Sequence, residues 1–184
     1  DTTYEFPADV DDEAGSLSIR SVFSVSMEGA IRVEPLDLIM SVIPEECIVK
    51  DMENDEVGME SGDRKPHPNL KLLLKDKNYV YKGNVFPTRI HFGKRIPVGG
   101  EIVDIRKPIN TIICTYARQP RFFIPQQNNN GYYLRCLLPN ELKQIQGFPE
   151  DFEIAGNKTQ QIVQIGNAVP PPLIKKVIDS LKIH

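Results

Sequence analysis

The stretch Arg135-Cys-Leu-Leu-Pro-Asn-Glu-Leu-Lys-Gln-Ile-Gln-Gly-Phe-Pro149 decides how the last fifty residues of this chain begin to fold. Pro139 suits the first position of a helix, Glu141 falls in its first turn, and Gly147 can end it. The pattern therefore predicts a two-turn helix. Leu138 stands where an oxygen-bearing side chain would cap that helix, so we expect its first turn to lose about 1 kcal/mol of stabilisation.

A second helix is predicted from about Pro171 to Leu181, after an intervening loop. Aliphatic residues recur there at the spacing of one helix face, while lysines and Asp179 take the other face. The aliphatic stripe consists of Leu173, Ile174, Val177, Ile178 and Leu181. Side chains of this kind need a surface to cover them.

The preceding part of the chain favours short strands. Glycines and prolines interrupt a series of β-forming segments between residues 79 and 116, which predicts a small, mostly β unit. Further predictions are an acidic tail or linker at 1–16, a strand or hairpin within 17–33, a short helix at 35–43, and polar loops at 50–66 and 118–131.

Composition indicates a globular chain with an uneven distribution of charge. It has 184 residues, of which 40% are hydrophobic and 26% charged, so it can bury a core. No apolar run approaches the ~20 residues of a membrane span, and no signal-peptide pattern is present. The net charge of −3 combines −14 in residues 1–63 with +11 in residues 64–184. The basic part indicates a polyanionic partner or, alternatively, a solvated surface of uneven charge.

The cysteines and histidines give no sign of a disulfide framework or a metal site. The three cysteines lie far apart and form no Cys-x-x-Cys pair, and the three histidines do not cluster in the sequence. We interpret the cysteines as small buried side chains in a reducing, intracellular compartment. These residues are Cys47, Cys114, Cys136, His67, His91 and His184.

A second stretch, Gln164-Ile-Gly-Asn-Ala-Val-Pro-Pro-Pro172, forms a recognisable pair with residues 135–149. Together they resemble the last two motifs of DNA (cytosine-5) methyltransferases, R-x-L-T-x-x-E-x-x-x-x-Q-G-F-P and Q-x-G-N-[AS]-V-P. The spacing inside each motif matches, although Leu138 replaces the usual Thr. The segment from Lys107 to Tyr116 is similar to the family's P-x-x-T-I-x-x-x-Y segment, which leads into a DNA-reading loop.

The resemblance implies an α+β fold, in which a small, mostly β target-recognition domain with short helices precedes a C-terminal helix. That helix belongs to the class I methyltransferase (Rossmann-like) catalytic domain of the family. The implied limits are 1–34 for an acidic linker and the end of the catalytic-domain region, 35–150 for the target-recognition domain, and 151–184 for a closing segment that returns to the catalytic domain.

The family's cofactor loop, Pro-Cys nucleophile, Glu-Asn-Val acid and Gln-x-Arg-x-Arg segment do not occur in this sequence. No catalytic residue is therefore predicted in this chain. We expect the C-terminal recognition part of a methyltransferase, either a fragment or a separate subunit, that acts with a catalytic half. Its implied location is the bacterial cytoplasm or a eukaryotic nucleus, with no membrane association.

The resemblance also implies ligands and site residues. S-adenosylmethionine would be shared with the catalytic half, with Asn167 and Ala168 at the edge of its pocket and Ala168 contacting through its backbone. Double-stranded DNA would meet two loops, at 91–101 and 111–122. The predicted DNA contacts are Lys94, Arg95, Thr111, Tyr116, Arg118, Gln119 and Arg121. Structural roles are implied for Arg135, Glu141, Gly147 and Gly166.

Several alternatives stay open at this point. Arg118 and Arg121 have side chains suited to guanine and Gln119 one suited to adenine, but each arginine could instead contact phosphate or solvent. Arg135 could hold the recognition region in place or be a surface arginine. The chain could be a catalytically inactive DNA-binding module, or an unrelated small β domain whose C-terminal helix packs in its own core. Without a catalytic half, we expect residues 170–183 to self-associate or to be disordered.

Overall fold

The computed structural model describes residues 22–34, 43–50, 65–86, 88–94, 98–107 and 109–181. The short helix predicted for 35–43 and the polar loop predicted for 50–66 lie almost wholly outside these ranges. The chain divides into two compact units, of which unit 1 comprises the residues up to Ile109 together with Pro120–Leu137, and unit 2 comprises Asn110–Gln119 together with Leu138 onward. The domain limits at 34 and 150 stay predictions.

A mixed six-stranded sheet forms the body of unit 1. Its strands are β1 (Ile31–Val33), β2 (Val49–Lys50), β5 (Ile90–Phe92), β6 (Gly100–Ile102), β7 (Phe122–Asn128) and β8 (Gly131–Cys136). They follow the order β1-β8-β7-β6-β5, and β2 pairs in parallel with β7. β5, β6 and β7 run parallel, whereas β7, β8 and β1 alternate in direction.

Strand β7 lies at the centre of this sheet, so the polar loop predicted for 118–131 was wrong over 122–128. Gln126 is 2% exposed, and its side-chain amide donates to the carbonyl oxygens of Ser24 and Ser26 at 3.4 and 3.1 Å. A glutamine that hydrogen-bonds inside the fold is tolerated in a buried strand. The sequence alone shows only that Gln126 is polar, and this polarity led to the prediction of a loop.

Helix α1 (Pro68–Lys75) contributes Leu70 and Leu73 to the core beside the sheet. The sequence pattern did not predict this helix, although it carries two ordinary start signals. Pro68 occupies the first position, and the His67 side chain accepts a hydrogen bond from the backbone N–H of Asn69 at 3.1 Å.

The core of unit 1 is apolar and close-packed. It joins residues from the sheet and α1, including Ile90, Ile102 and Phe123, all of which are fully buried. At Gly100 a side chain would collide with the Phe123 ring, because an added Cβ would lie 2.3 Å from Cε2. Gly100 therefore sets how closely β6 approaches the aromatic residue on β7.

A separate two-stranded hairpin is formed by β3 (Tyr79–Tyr81) and β4 (Asn84–Phe86). Together with β5 and β6 it confirms a turn-rich β region after residue 79. The last segment of that predicted region was wrong, because residues 110–116 contain no strand and Cys114–Ala117 is a 3₁₀ helix. The hairpin alternative within 17–33 was wrong for the described residues, since β1 pairs with β8 rather than with its own neighbours.

Unit 2 contains helices α2 (Pro139–Ile145), α3 (Lys158–Asn167) and α4 (Pro171–Leu181). The predictions of α2 and α4 are confirmed, whereas the loop predicted between them contains α3. A capping box begins α3, because the Asn157 side chain accepts from the N–H of Gln160 at 3.0 Å and the Gln160 side chain accepts from the N–H of Asn157 at 2.9 Å.

The combination of a mixed sheet with separate helices confirms the α+β class. Among the described residues, each helix is too short or too polar to cross a lipid bilayer.

A buried carboxylate fixes the chain after β6. Asp104 is 4% exposed, and the Arg106 guanidinium donates to its two oxygens from Nε at 2.8 Å and from Nη2 at 3.0 Å. The backbone N–H of Arg106 and the Cys47 thiol also donate to Asp104 Oδ1. The Arg106 hydrogen bonds hold the pKa of Asp104 well below its usual range.

This network predicts an acid-sensitive contribution to stability. Asp104→Asn should lower the free energy of unfolding at pH 7 by about 1–3 kcal/mol. Because the pKa of Asp104 is lower in the folded state than in the unfolded state, the carboxylate stabilises the fold above about pH 4 and loses this effect as the pH falls further. Urea denaturation followed by circular dichroism should show the difference between variant and wild type narrowing below about pH 4.

Glu45→Gln is the matched control, because Glu45 pairs with Lys50 at the surface and its side chain is 80% exposed. We expect no measurable change in stability from it. A difference between Asp104→Asn and wild type that stays constant down to pH 3 would contradict the role given to the Asp104 carboxylate.

Candidate functional site

The two motif segments meet in unit 2 through one side chain. Gln146 follows α2, and its Nε2 donates to the carbonyl oxygens of Ala168 at 3.0 Å and Ile165 at 3.4 Å. The motif pattern predicted only a helix stop around Gln146 and missed this role. An amide can bridge two carbonyl groups in this way, because its nitrogen carries two hydrogens.

Gly166 brings a third segment to the same place. An added Cβ would lie 2.5 Å from Cys114 N and 2.5 Å from Ile113 C, so only glycine permits this approach. The resemblance implies a structural role for Gly166, which lies within the regular helix α3. The physical reason is contact between α3 and the backbone of residues 113–114, and not a positive φ.

Gly147 and Glu141 take the structural positions expected for them. Gly147 ends α2 with φ +83, and an added Cβ would lie 2.7 Å from Cγ and Cδ of Pro172. Glu141 is 2% exposed, and its Oε2 accepts from the N–H of Leu138 at 2.8 Å. Only this half of a capping box forms, since a leucine side chain has no acceptor.

Asn167 and Ala168, the predicted cofactor residues, lie at the carboxyl end of α3. Asn167 is the last helical residue and is exposed, whereas Ala168 is half-buried. The N–H of Ala168 donates to the Ile165 carbonyl at 3.2 Å, and its own carbonyl accepts from Gln146. The backbone of Ala168 is thus already engaged, which leaves its second carbonyl lone pair and its methyl group for a ligand.

Residues 110–119 carry four of the predicted DNA contacts. Thr111, Arg118 and Gln119 are exposed. Arg118 and Gln119 end the 3₁₀ helix with their N–H groups bonded to the Thr115 carbonyl at 3.0 and 2.9 Å. Tyr116 is only 4% exposed, so its ring is placed to pack inside the fold and not on the surface.

The other predicted DNA contacts belong to unit 1. Lys94 is exposed just after β5, and Arg95 lies outside the described residues. Arg121 is half-buried beside the start of β7, where its carbonyl accepts from the N–H of Glu101 at 2.7 Å. The predicted DNA contacts are therefore divided between the two units.

Arg135 is fully buried, which rules out the surface-arginine alternative. Its Nη2 donates to the Ser24 carbonyl at 2.8 Å and its Nη1 to the Cys136 carbonyl at 3.0 Å. Arg135 therefore ties the segment before β1 to strand β8, a structural role within unit 1.

The described cysteines are free thiols, of which Cys47 is buried; the interpretation as buried side chains was wrong for Cys114 and Cys136, which are half-buried. Burial raises the pKa of Cys136 to about 12, and burial together with the nearby Asp104 carboxylate raises the pKa of Cys47. A nucleophilic cysteine needs its thiolate form, so these environments do not suit that chemistry. Within the described ranges, no group of three His, Cys, Asp or Glu side chains could hold a metal ion.

Four of the five residues in the aliphatic stripe of α4 are exposed, and Leu173 is half-buried. Ile174, Val177 and Ile178 are 44–47% exposed and Leu181 is 71% exposed. None of the α4 residues is buried. The alternative of an unrelated domain required this helix to pack in its own core, and its exposure contradicts that.

Gly166→Ala should separate residues 113–114 from α3. The introduced methyl group overlaps backbone atoms that cannot rotate away, so we expect a loss of about 1–3 kcal/mol in stability. Hydrogen exchange should also quicken across residues 110–119. Thr159→Ala, at an exposed position of the same helix, is the control and should leave exchange unchanged. Unaltered exchange in Gly166→Ala would contradict this packing.

Comparison with known proteins agrees with the motif resemblance. The family model described as C-5 cytosine-specific DNA methylase matches residues 44–183. The chain is similar to Type II methyltransferase M.BsuFI of Bacillus subtilis, with 34% identity over 84 residues, covering 45% of this chain and 20% of that protein. It is also similar to Type II methyltransferase M.MspI of Moraxella sp, with 32% identity over 75 residues, covering 41% and 18%.

Type II methyltransferase M.Bpa9945I of Bacillus paralicheniformis is 49% identical over 60 residues, covering 28% of this chain and 14% of that protein. The matched regions thus span about a fifth or less of these relatives. No solved structure matches the chain. Since the family model covers most of the sequence, including both motifs, the chain belongs to the C-5 cytosine-specific DNA methylase family.

Proposed function

We propose that this chain is the DNA-recognition and closing part of an S-adenosylmethionine-dependent DNA (cytosine-5) methyltransferase, acting with a catalytic half that carries the nucleophilic cysteine. The observation that carries the proposal is the junction in unit 2. Gln146 and Gly166 hold the Q-G-F-P segment, the G-N-A-V segment and residues 110–119 together. The segment proposed to read DNA would thereby be fixed to the segment proposed to border the cofactor.

The carboxyl end of α3 suits one end of S-adenosylmethionine. That cofactor supplies the methyl group from its sulfonium, and its methionine end carries an ammonium group and a carboxylate. A helix C-terminus favours positive charge. Asn167 adds an exposed side-chain amide there, and Ala168 offers a carbonyl lone pair that Gln146 leaves unused. These residues would bind and orient the cofactor without taking part in bond breaking.

DNA selection would fall to exposed basic and amide side chains. Arg118 and Gln119 follow a 3₁₀ helix whose first residue, Cys114, lies against Gly166 of α3. Their backbone is fixed, which reduces the entropy lost when their side chains bind a base. Lys94 and Arg121 would add contacts from unit 1. Tyr116 is better suited to supporting this segment than to touching DNA, because it is buried.

The raised thiol pKa values favour a function in which a catalytic half supplies the nucleophilic cysteine. A target cytosine must leave the base stack before a nucleophile can reach it. Since the thiol pKa values of Cys47 and Cys136 are raised and the sequence has no Pro-Cys pair, this chain would select and hold DNA while its partner performs the chemistry. A catalytically inactive DNA-binding module shares these features and differs only in lacking the partner.

Mixing the chain with a catalytic half distinguishes the recognition part of an enzyme from an inactive DNA-binding module. The chain alone should transfer no methyl group from labelled S-adenosylmethionine to duplex DNA. Adding a methyltransferase catalytic half should restore transfer and slow hydrogen exchange across 171–181, as the partner covers the stripe. Val177→Asp on the stripe should abolish restoration, whereas Lys176→Asp on the other face should retain it. Methylation by the chain alone would contradict the division of labour, and failure with every catalytic half would favour the inactive module.

Base reading is tested on the complemented enzyme. Arg118→Ala or Arg121→Ala should relax discrimination at one base pair of the target, by about 1–3 kcal/mol, if that arginine binds guanine. Methylation of a panel of single-substituted target duplexes measures this. If both variants weaken binding to all sequences equally and reduce the salt dependence, the arginines contact phosphate and the base-reading assignment is wrong.

A further inference from the structure

The β3–β4 hairpin leaves an apolar pair of side chains uncovered. It is a separate two-stranded ribbon in unit 1, with Val80 paired opposite Val85. These two side chains lie on one face and are 61% and 64% exposed. Strand residues alternate between faces, so Tyr79 and Tyr81 lie on the other face, where both are half-buried. The Val80–Val85 pair therefore presents a small apolar surface that is available for contact with a ligand.

The opposite face of the ribbon is held in place. The Arg89 guanidinium carbon lies 4.8 Å from the centre of the Tyr79 ring, and Arg89 Nε donates to Asp76 Oδ2 at 2.8 Å. One side of the hairpin is therefore anchored to its own unit while the valine side faces outward.

The turn of the hairpin carries a lysine in an unusual conformation. Lys82 and Gly83 both have positive φ, of 49° and 78°. This geometry belongs to a two-residue type I′ turn, in which asparagine followed by glycine is preferred. Lysine is disfavoured at such a φ. A lysine in this position places a positive charge at the tip of the ribbon at some cost in stability, and its Nζ lies 5.6 Å from the centre of the Tyr81 ring.

The surrounding segment is strongly basic. Residues 65–94 contain seven lysines and arginines and one acidic residue, Asp76, which Arg89 already neutralises. Five of the basic side chains are exposed: Lys65, Lys75, Lys77, Lys82 and Lys94. This charge complements a polyanion. The exposed valine pair is far smaller than the roughly 800 Å² per partner of a stable protein interface.

We propose that the β3–β4 hairpin enters the major groove of DNA, with Lys82 at a phosphate and the Val80–Val85 pair against thymine methyl groups. A two-stranded ribbon fits the major groove, and the thymine methyl group is the apolar feature displayed there. This inference rests on the proposed DNA-binding function and adds a contact surface separate from the loops at 91–101 and 111–122.

The test is anisotropy titration of a mixed-sequence duplex with the full chain at several salt concentrations. Lys82→Asn creates the preferred turn sequence, so the hairpin stays folded while the charge is lost. We expect about three- to tenfold weaker binding and a salt slope reduced by about one phosphate contact. Lys176→Gln, at an exposed lysine of α4, is the matched control and should bind like wild type.

The double variant Val80→Thr with Val85→Thr keeps the β-branched shape and removes one methyl group from each side chain. It should bind the thymine-containing duplex about two- to fivefold more weakly, with an unchanged salt slope, because only apolar contacts are lost. On a duplex with uracil in place of thymine, the double variant and wild type should bind alike.

Wild-type binding by Lys82→Asn, or an unchanged preference for thymine over uracil in the double variant, would overturn the hairpin proposal and leave the proposed function intact. Failure of the wild-type chain to bind any duplex would overturn both. If the double variant binds DNA normally but converts a dimer to a monomer in analytical ultracentrifugation, the valine pair is a self-association surface and the proposal is wrong.

Discussion

At Gly166 helix α3 comes so near the backbone of Ile113 and Cys114 that no side chain fits between them. Unit 2 depends on this approach, because it joins a segment from before the β7–β8 hairpin to helices that follow it. The Gln146 amide supports the same place from α2 by bonding to the end of α3. Two residues of the family motifs thus act as structural connectors.

The polar side chains of these motifs form hydrogen bonds mainly with backbone groups of this chain. Arg135 and Gln146 donate to carbonyl groups, and Glu141 accepts from an N–H. The Gln146 bonds fix the carboxyl end of α3, where the Asn167 side chain is exposed.

The sequence predicted the elements whose pattern is local. Helices α2 and α4 follow from their end signals and aliphatic spacing, and the family follows from two motifs. Strand β7 could not be found that way, because Gln126 is buried only through hydrogen bonds to residues about a hundred positions earlier. Helix α3 was detectable from its capping box at Asn157, but its Gln-rich sequence hides the apolar spacing. The burial of Tyr116 and the role of Gly166 depend on contacts between distant segments.

The insertion of strands β7 and β8 between the two segments of unit 2 has a consequence for how that unit folds. Residues 113 and 166 are 53 positions apart, and closing so long a loop costs conformational entropy. The β7–β8 hairpin joins Phe123 to Cys136, so once formed it brings the ends of the insertion together. The two segments of unit 2 then need a much shorter conformational search to meet, because the hairpin already holds the ends of the insertion close together. We therefore expect the hairpin to form early and unit 2 to assemble afterwards, so that residues 110–119 become ordered only when the sheet already exists.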